Sequence, residues 1–144
     1  MTERELAAFV ARFEACQVAK AEWTHQAHLL VGLWYLTRHP HDEALAIVRW
    51  RIRAHNDAVG TPNSDSEGYH ETITRLFLLG IEEFVRAREG VPCEALIDAL
   101  LASPLGEREW PLRSYSRERL FSVEARRGWV GADLTGSAPA HRTG

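Results

Sequence analysis

The stretch EWTHQAHLLVGLWYL, residues 22–36, decides the fold that we predict for this chain. Thr24 stands in a helix-capping position, and most of the three turns that follow are apolar on nearly every side. Such a helix has to be surrounded by other helices, because all of its faces need burial. We therefore predict a central helix that begins at Thr24 and ends before Pro40, because the residue preceding a proline avoids helical geometry, with His25 and His28 one turn apart on one face.

The other helices are predicted from caps, apolar stripes and breaking residues. A Thr-x-x-Glu capping box at residues 2–5 predicts a first helix that fades near Lys20 and has its apolar face on Leu6, Phe9, Phe13 and Cys16. A third helix is predicted over Glu43–Val59 with Asp42 as its cap, and a fourth from Tyr69 or His70 to Glu89 with His70 in its first turn. The others are Cys93–Ala102 with Pro92 in its first turn and two short helices capped by Ser116 and Ser122.

Period-2 alternation is absent from the sequence, so we expect an all-α protein. The short connections favour an up-down antiparallel bundle of four to five helices. We expect the short C-terminal helices to pack over that bundle, with Trp110, Leu112, Tyr115, Leu120 and Trp129 as their apolar contacts. Residues 1–134 then form a single helical domain, and residues 135–144, rich in Gly, Ala, Pro and Thr, form a disordered tail.

Composition excludes several classes of protein. The chain has 144 residues, the size of one domain, and a formal net charge of −3, which argues against general affinity for nucleic acid or anionic membranes. The longest apolar run is too short to span a bilayer, and the first residues are not those of a signal peptide. Cys16 and Cys93 show no metal or disulfide spacing. We therefore expect a cytoplasmic protein with reduced cysteines and leave a homo-oligomer open.

Four histidines are predicted to meet at one end of this bundle. His25 and His28 begin the central helix, His55 lies near the end of the next helix, and His70 begins the one after it. Antiparallel neighbours with short turns bring these positions to a similar depth at the α-helical rise. His55 and His70 also continue the apolar stripes of their helices, so both are expected to point inward.

Neutral imidazoles on facing helices of a bundle are typical of metal sites. We predict that the four histidines bind a divalent metal, with Zn, Fe, Ni, Cu and Mn all suited to such ligands. Glu71 is the candidate fifth ligand or general base, and Asn56, Tyr69 and Thr74 are candidate contacts for a small-molecule substrate. The loop of residues 60–69 would cover the open side. These features favour a metal-dependent enzyme. They do not indicate a reaction class.

An alternative reading needs no metal. A single inward histidine is more often a hydrogen-bonded core residue than a ligand, and His-x-x-His alone is a weak motif. In this reading the histidines form a buried hydrogen-bond layer in a non-enzymatic module that binds a ligand or mediates oligomerisation. A third hypothesis, a metal-free ligand pocket, lies between the two.

Three motifs carry a resemblance to a known group of proteins. WTHQAH at residues 23–28, GYHET at residues 68–72, and a YS…LFS…AR…DL ending at residues 115–134 resemble a family of small bacterial proteins of uncharacterised activity. The resemblance covers roughly residues 22–134 and implies a bacterial intracellular protein. The layout is also broadly similar to DinB-like bundles, which bind a metal through histidines on separate helices, although their ligand spacing is absent here.

Overall fold

The computed structural model describes residues 1–134 and is all-helical, with no strand in that range. Its α-helices are α1 Glu3–Glu14, α2 His25–Leu36, α3 His41–Ala58, α4 Glu71–Arg86, α5 Cys93–Ala102, α6 Arg117–Leu120 and α7 Val123–Arg127. Single 3-10 turns occupy Lys20–Glu22, Pro104–Gly106 and Trp110–Arg113. The predicted all-α helical bundle is confirmed, and the predicted disorder of residues 135–144 lies outside the described residues.

Helix α2 lies at the centre of the bundle, as its composition predicts, and packs against α1, α3, α4 and α5. Thr24 caps it by accepting a hydrogen bond from the backbone N–H of Ala27 at 3.2 Å. Seven of its twelve residues are buried: Ala27, Leu29, Leu30, Val31, Gly32, Leu33 and Tyr35. Within residues 1–134, no helix combines the length and apolar character needed to cross a bilayer.

The first helix is shorter than predicted. Its capping box is present, since Thr2 and Glu5 exchange side-chain and backbone hydrogen bonds at 2.8 and 3.0 Å. The helix ends at Glu14, however, because Cys16 takes a φ of 57°, in the left-handed region that a helix cannot continue through. Cys16 therefore lies in a turn, and its predicted place on the apolar face of the helix is wrong.

Other predicted helix termini and caps also need correction. Asp42 does not cap α3; Pro40 stands at the cap, where its fixed φ is suitable, and Asp42 lies in the first turn, where a carboxylate favours the helix dipole. Helix α4 ends at Arg86 instead of Glu89. Pro92 precedes α5 as its cap residue instead of lying in its first turn, although the range Cys93–Ala102 is as predicted.

The C-terminal segment covers the bundle in the predicted way. Ser116 and Ser122 cap α6 and α7 through their side-chain oxygens. Tyr115 and Leu120 pack with Leu76 of α4 in a second apolar cluster, which is bordered by Ile73, Trp110, Leu112, Trp129 and Val130. This cover closes over the ends of α2 and α4 where the histidines lie.

Candidate functional site

A cavity of about 600 Å³ lies between the bundle and its C-terminal cover. Six of the eight residues predicted for the site line it: His25, His28, His70, Asn56, Tyr69 and Thr74. Three helices supply much of its apolar wall, through Leu29 of α2, Val48 and Ile52 of α3, and Phe77, Leu78 and Ile81 of α4. Thr61 and Gly68 from the loop before α4 also line it. The cavity is thus a largely apolar space with a few polar groups.

His28 presents an unprotonated nitrogen at this cavity. Its Nδ1–H donates to the carbonyl of Thr24 at 2.7 Å, so its Nε2 carries the lone pair. The His28 side chain is exposed at the cavity, and the protein atoms packed around its ring lower its pKa to about 4. The nearby His25 and Arg108 add to that decrease, and the bond to Thr24 opposes it. His28 is therefore neutral at pH 7 and acts as a hydrogen-bond acceptor.

His25 and His55 each donate one ring N–H to a distant backbone carbonyl. Nε2 of His25 bonds to Leu105 at 2.9 Å, and Nε2 of His55 bonds to Val18 at 2.8 Å. His55 is fully buried, does not line the cavity, and has no partner for Nδ1 among the described residues. The ring of Trp23, which does line the cavity, lies 3.9 Å from the ring of His28 and 4.9 Å from that of His55. The structure thus brings His25 and His28 to the cavity and keeps His55 out of it.

Both ring nitrogens of His70 are used within the fold. Nε2–H donates to the carbonyl of Leu120 at 2.7 Å, and Nδ1 accepts from the backbone N–H of Ile73 at 3.1 Å. His70 is therefore the cap residue of α4 and not part of its first turn. Burial lowers the pKa of His70, which keeps the ring in the neutral form that this pair of bonds requires. A metal would have to displace one of these two bonds.

Glu71 belongs to a buried ion pair and does not line the cavity. Its carboxylate accepts two bonds from Arg49, at 2.9 and 2.6 Å, and one from the hydroxyl of Tyr69 at 2.6 Å. Burial favours the neutral carboxyl, but the bonds from Arg49 and Tyr69 outweigh it and lower the pKa of Glu71. These contacts use both oxygens and give Glu71 a structural role. Its predicted role as metal ligand or general base stays a prediction.

The three predicted substrate contacts lie together at the cavity. Burial and the bond to Glu71 raise the pKa of Tyr69, and Thr74 lies beside the Tyr69 hydroxyl. Nδ2 of Asn56 donates to Oδ1 of Asn63 at 3.0 Å. That oxygen also accepts from the backbone N–H of Tyr69 at 3.0 Å, so Asn63 fixes the loop before α4. Nothing in the local pattern of the sequence distinguishes Asn63 from an ordinary loop residue.

A complete metal site is not formed by the side chains as they stand. Within residues 1–134, no group of three or more His, Cys, Asp or Glu side chains is arranged to hold a metal ion. His55 does not line the cavity, both nitrogens of His70 are hydrogen-bonded, and Glu71 is paired with Arg49. The predicted metal site remains a prediction.

Sequence reasoning missed the basic side chains at this cavity. Lys20, Arg108, Arg117 and Arg126 line it, and each comes from a segment outside the long helices. Helical periodicity carries no information on such positions, because their approach to α2 and α4 depends on how the chain folds back. Only Arg126 stands in one of the quoted motifs.

The GYHET motif and the C-terminal motif contact each other in the structure. Arg126 of the C-terminal motif donates to the carbonyl of Gly68 at 2.9 Å, and Thr72 donates to the carbonyl of Gly128 at 2.7 Å. Ser116 and Asp133 are joined by bonds of 2.8 and 2.6 Å. These residues therefore hold the C-terminal cover on the start of α4, which is one wall of the cavity.

Comparison with known proteins gives no matching family model, no similar curated protein and no similar solved structure. The resemblance to the bacterial family and the DinB-like layout stay predictions.

Proposed function

We propose that this protein binds a small organic molecule in the cavity beside His25 and His28. The observation that carries the proposal is the cavity itself: about 600 Å³, lined by apolar side chains from three helices and by a small number of polar groups. Ligand pockets of proteins are usually apolar spaces of about 300–1,000 Å³ in which a few polar groups fix the orientation of the ligand.

The histidines indicate which hydrogen-bonding groups a ligand would carry. One nitrogen of each ring donates to a carbonyl, so in a neutral imidazole the other nitrogen, Nε2 of His28 or Nδ1 of His25, is a hydrogen-bond acceptor. A ligand with a hydroxyl or N–H group would satisfy them. His28, with a pKa of about 4, is a weak base at pH 7, and Glu71 is already paired. These properties favour binding over proton abstraction.

Binding is tested with N-phenyl-1-naphthylamine, a neutral aromatic amine that fluoresces in apolar surroundings and carries an N–H donor. The wild-type protein is expected to bind it with saturable fluorescence. Thr74→Phe, which adds a ring at the cavity, is expected to abolish the signal. Ala8→Phe adds the same ring at an exposed position of α1 and should leave binding unchanged. Equal binding by both variants, or none by the wild type, would refute the proposal.

A metal-dependent function is the second candidate, and one observation favours it. His25, His28 and His55 each donate one ring N–H to a backbone carbonyl, and the other ring nitrogen is the one that a metal could take. Histidines that bind metals have this arrangement, because the carbonyl fixes the ring and its tautomer. His25 and His28 would be the first two ligands, for Zn, Fe, Ni, Cu or Mn. His55 would join them only after Trp23 moves.

Mass spectrometry of untagged protein separates the two candidates. The metal function predicts one bound metal per chain, before or after incubation with the five metals, and its loss in His28→Asn. His39→Asn is the matched control, because His39 does not line the cavity. If the wild type still binds less than one metal per chain after incubation, the metal-dependent function is refuted. The proposal of an organic ligand does not depend on that result.

A further inference from the structure

We propose that the ligand of this cavity is an organic anion, in which an apolar body carries an acidic group held by Lys20, Arg108 and Arg117. The acidic group is a carboxylate, phosphate or sulfonate, which share the charge and acceptor oxygens that these side chains recognise. The inference rests on the ligand-binding function proposed above and adds the charge of the ligand to it.

Charge is distributed unevenly between the cavity and the rest of the chain. The whole chain has a net charge of −3, yet four basic residues line the cavity. Glu109 is the single acidic residue among the described residues that line it. The cavity is therefore a positive region on an acidic protein, and such a region attracts anions.

The cations at the cavity have no carboxylate partner, unlike several other cations of the described chain. Arg49 and Arg127 make close ion pairs with Glu71 and Asp65, at 2.6 and 2.8 Å. Across the described chain, none of the four cavity cations lies within ion-pair distance of a carboxylate. Arg126 donates hydrogen bonds to the carbonyls of Gly68 and Tyr69. Three cations remain without an anion.

Those three side chains approach from separate segments. Lys20 begins the 3-10 turn after α1, Arg108 lies between two 3-10 turns after α5, and Arg117 is the first residue of α6. All three are exposed and line the cavity, so they lie where it opens to solvent. Arg108 is also close enough to His28 to lower its pKa. An acidic group at the opening would thus join a body that reaches the histidine pair and the apolar wall.

The test compares two fluorescent probes with the same aromatic rings. 8-Anilinonaphthalene-1-sulfonate carries a sulfonate, and N-phenyl-1-naphthylamine lacks it. Arg108→Gln is expected to weaken binding of the sulfonate about five-fold and binding of the neutral amine less than about two-fold, because only the sulfonate interacts with the lost charge. Lys20→Gln should act in the same direction. Added salt should weaken binding of the sulfonate probe and leave binding of the neutral amine unchanged.

Arg4→Gln is the matched control, since it removes the same charge at an exposed position away from the cavity. Selective loss of sulfonate binding in Arg108→Gln, and not in Arg4→Gln, supports the proposal. If Arg108→Gln weakens binding of both probes equally, or of neither, the anion proposal is overturned while the ligand-binding function stands. If neither probe binds the wild type at all, the binding function fails and this inference fails with it. Thermal unfolding confirms that each variant is folded.

Discussion

Glu71 is the clearest case of a single side chain whose surroundings decide its chemistry. Its carboxylate is buried against Tyr69 and the partly exposed Arg49, and their hydrogen bonds lower its pKa although burial alone would raise it. Leaving the guanidinium of Arg49 without a partner in this position would be costly. The charge of Glu71 is therefore part of what stabilises the start of α4 against α3.

Glu71→Gln tests this role. We expect the free energy of unfolding at pH 7 to fall by about 2 kcal/mol, somewhat below the cost of breaking a fully buried pair, because Arg49 is partly exposed. The stabilisation is fully present above the unfolded pKa of Glu71 and is lost as the pH falls through its lower folded pKa. Urea unfolding at pH 6 and at pH 3 should show a smaller loss in Glu71→Gln than in the wild type. An equal loss would contradict the ion pair.

Glu89→Gln provides the control for that series. Glu89 is exposed, and this substitution removes the same charge beyond the end of α4. Its stability at pH 7 should stay within about 0.5 kcal/mol of the wild type, as is usual for surface substitutions.

Helix α4 depends on the side chain that begins it. His70 caps the helix through Nδ1 and holds the end of α6 through Nε2, so two separate contacts leave together when the ring is removed. We expect His70→Ala to lower the free energy of unfolding by about 2 kcal/mol, of which the cap and the buried bond each supply roughly half. Asn is a good cap residue, so His70→Asn should recover about half of the loss. Equal losses in the two variants would contradict the capping role.

The loop before α4 offers a matched pair of glycines. Gly60 and Gly68 have φ values of 79° and 80°. A residue with a side chain is destabilised at either position, because the left-handed conformation brings its Cβ too close to the following carbonyl oxygen. A Cβ on Gly68 would also clash with the carbonyl oxygen of Pro62, whereas one on Gly60 meets nothing within 4 Å. Gly60→Ala should cost about 1 kcal/mol, and Gly68→Ala clearly more. Equal melting temperatures would contradict the described loop.

Local signals predicted these elements well, and their ends less well. The capping box of α1, the cap of α2 and the whole of α5 follow from side chains a few residues apart. The early end of α1 does not, because nothing in the apolar stripe indicates that Cys16 takes a positive φ. The pairing of Glu71 with Arg49 spans 22 residues and is set by packing, which no local pattern encodes.

At the scale of the whole molecule, histidines join the irregular segments to the bundle. His25 holds the 3-10 turn after α5, His55 holds the segment between α1 and α2, and His70 holds the end of α6. The sequence indicated that His55 and His70 face inward, and both are buried. It could not indicate the carbonyls that they bond to, or that a cavity of about 600 Å³ remains beside two of the rings.

The central claim is that this cavity binds an organic ligand, and NMR of ring signals tests it most directly. On addition of N-phenyl-1-naphthylamine, we expect the indole signal of Trp23 and the ring signals of His28 to shift in a saturable way. The indole of Trp50, which is 62% exposed and does not line the cavity, should stay unchanged. Shifts at Trp50 without shifts at Trp23 and His28, or no shift at any of them, would contradict the account.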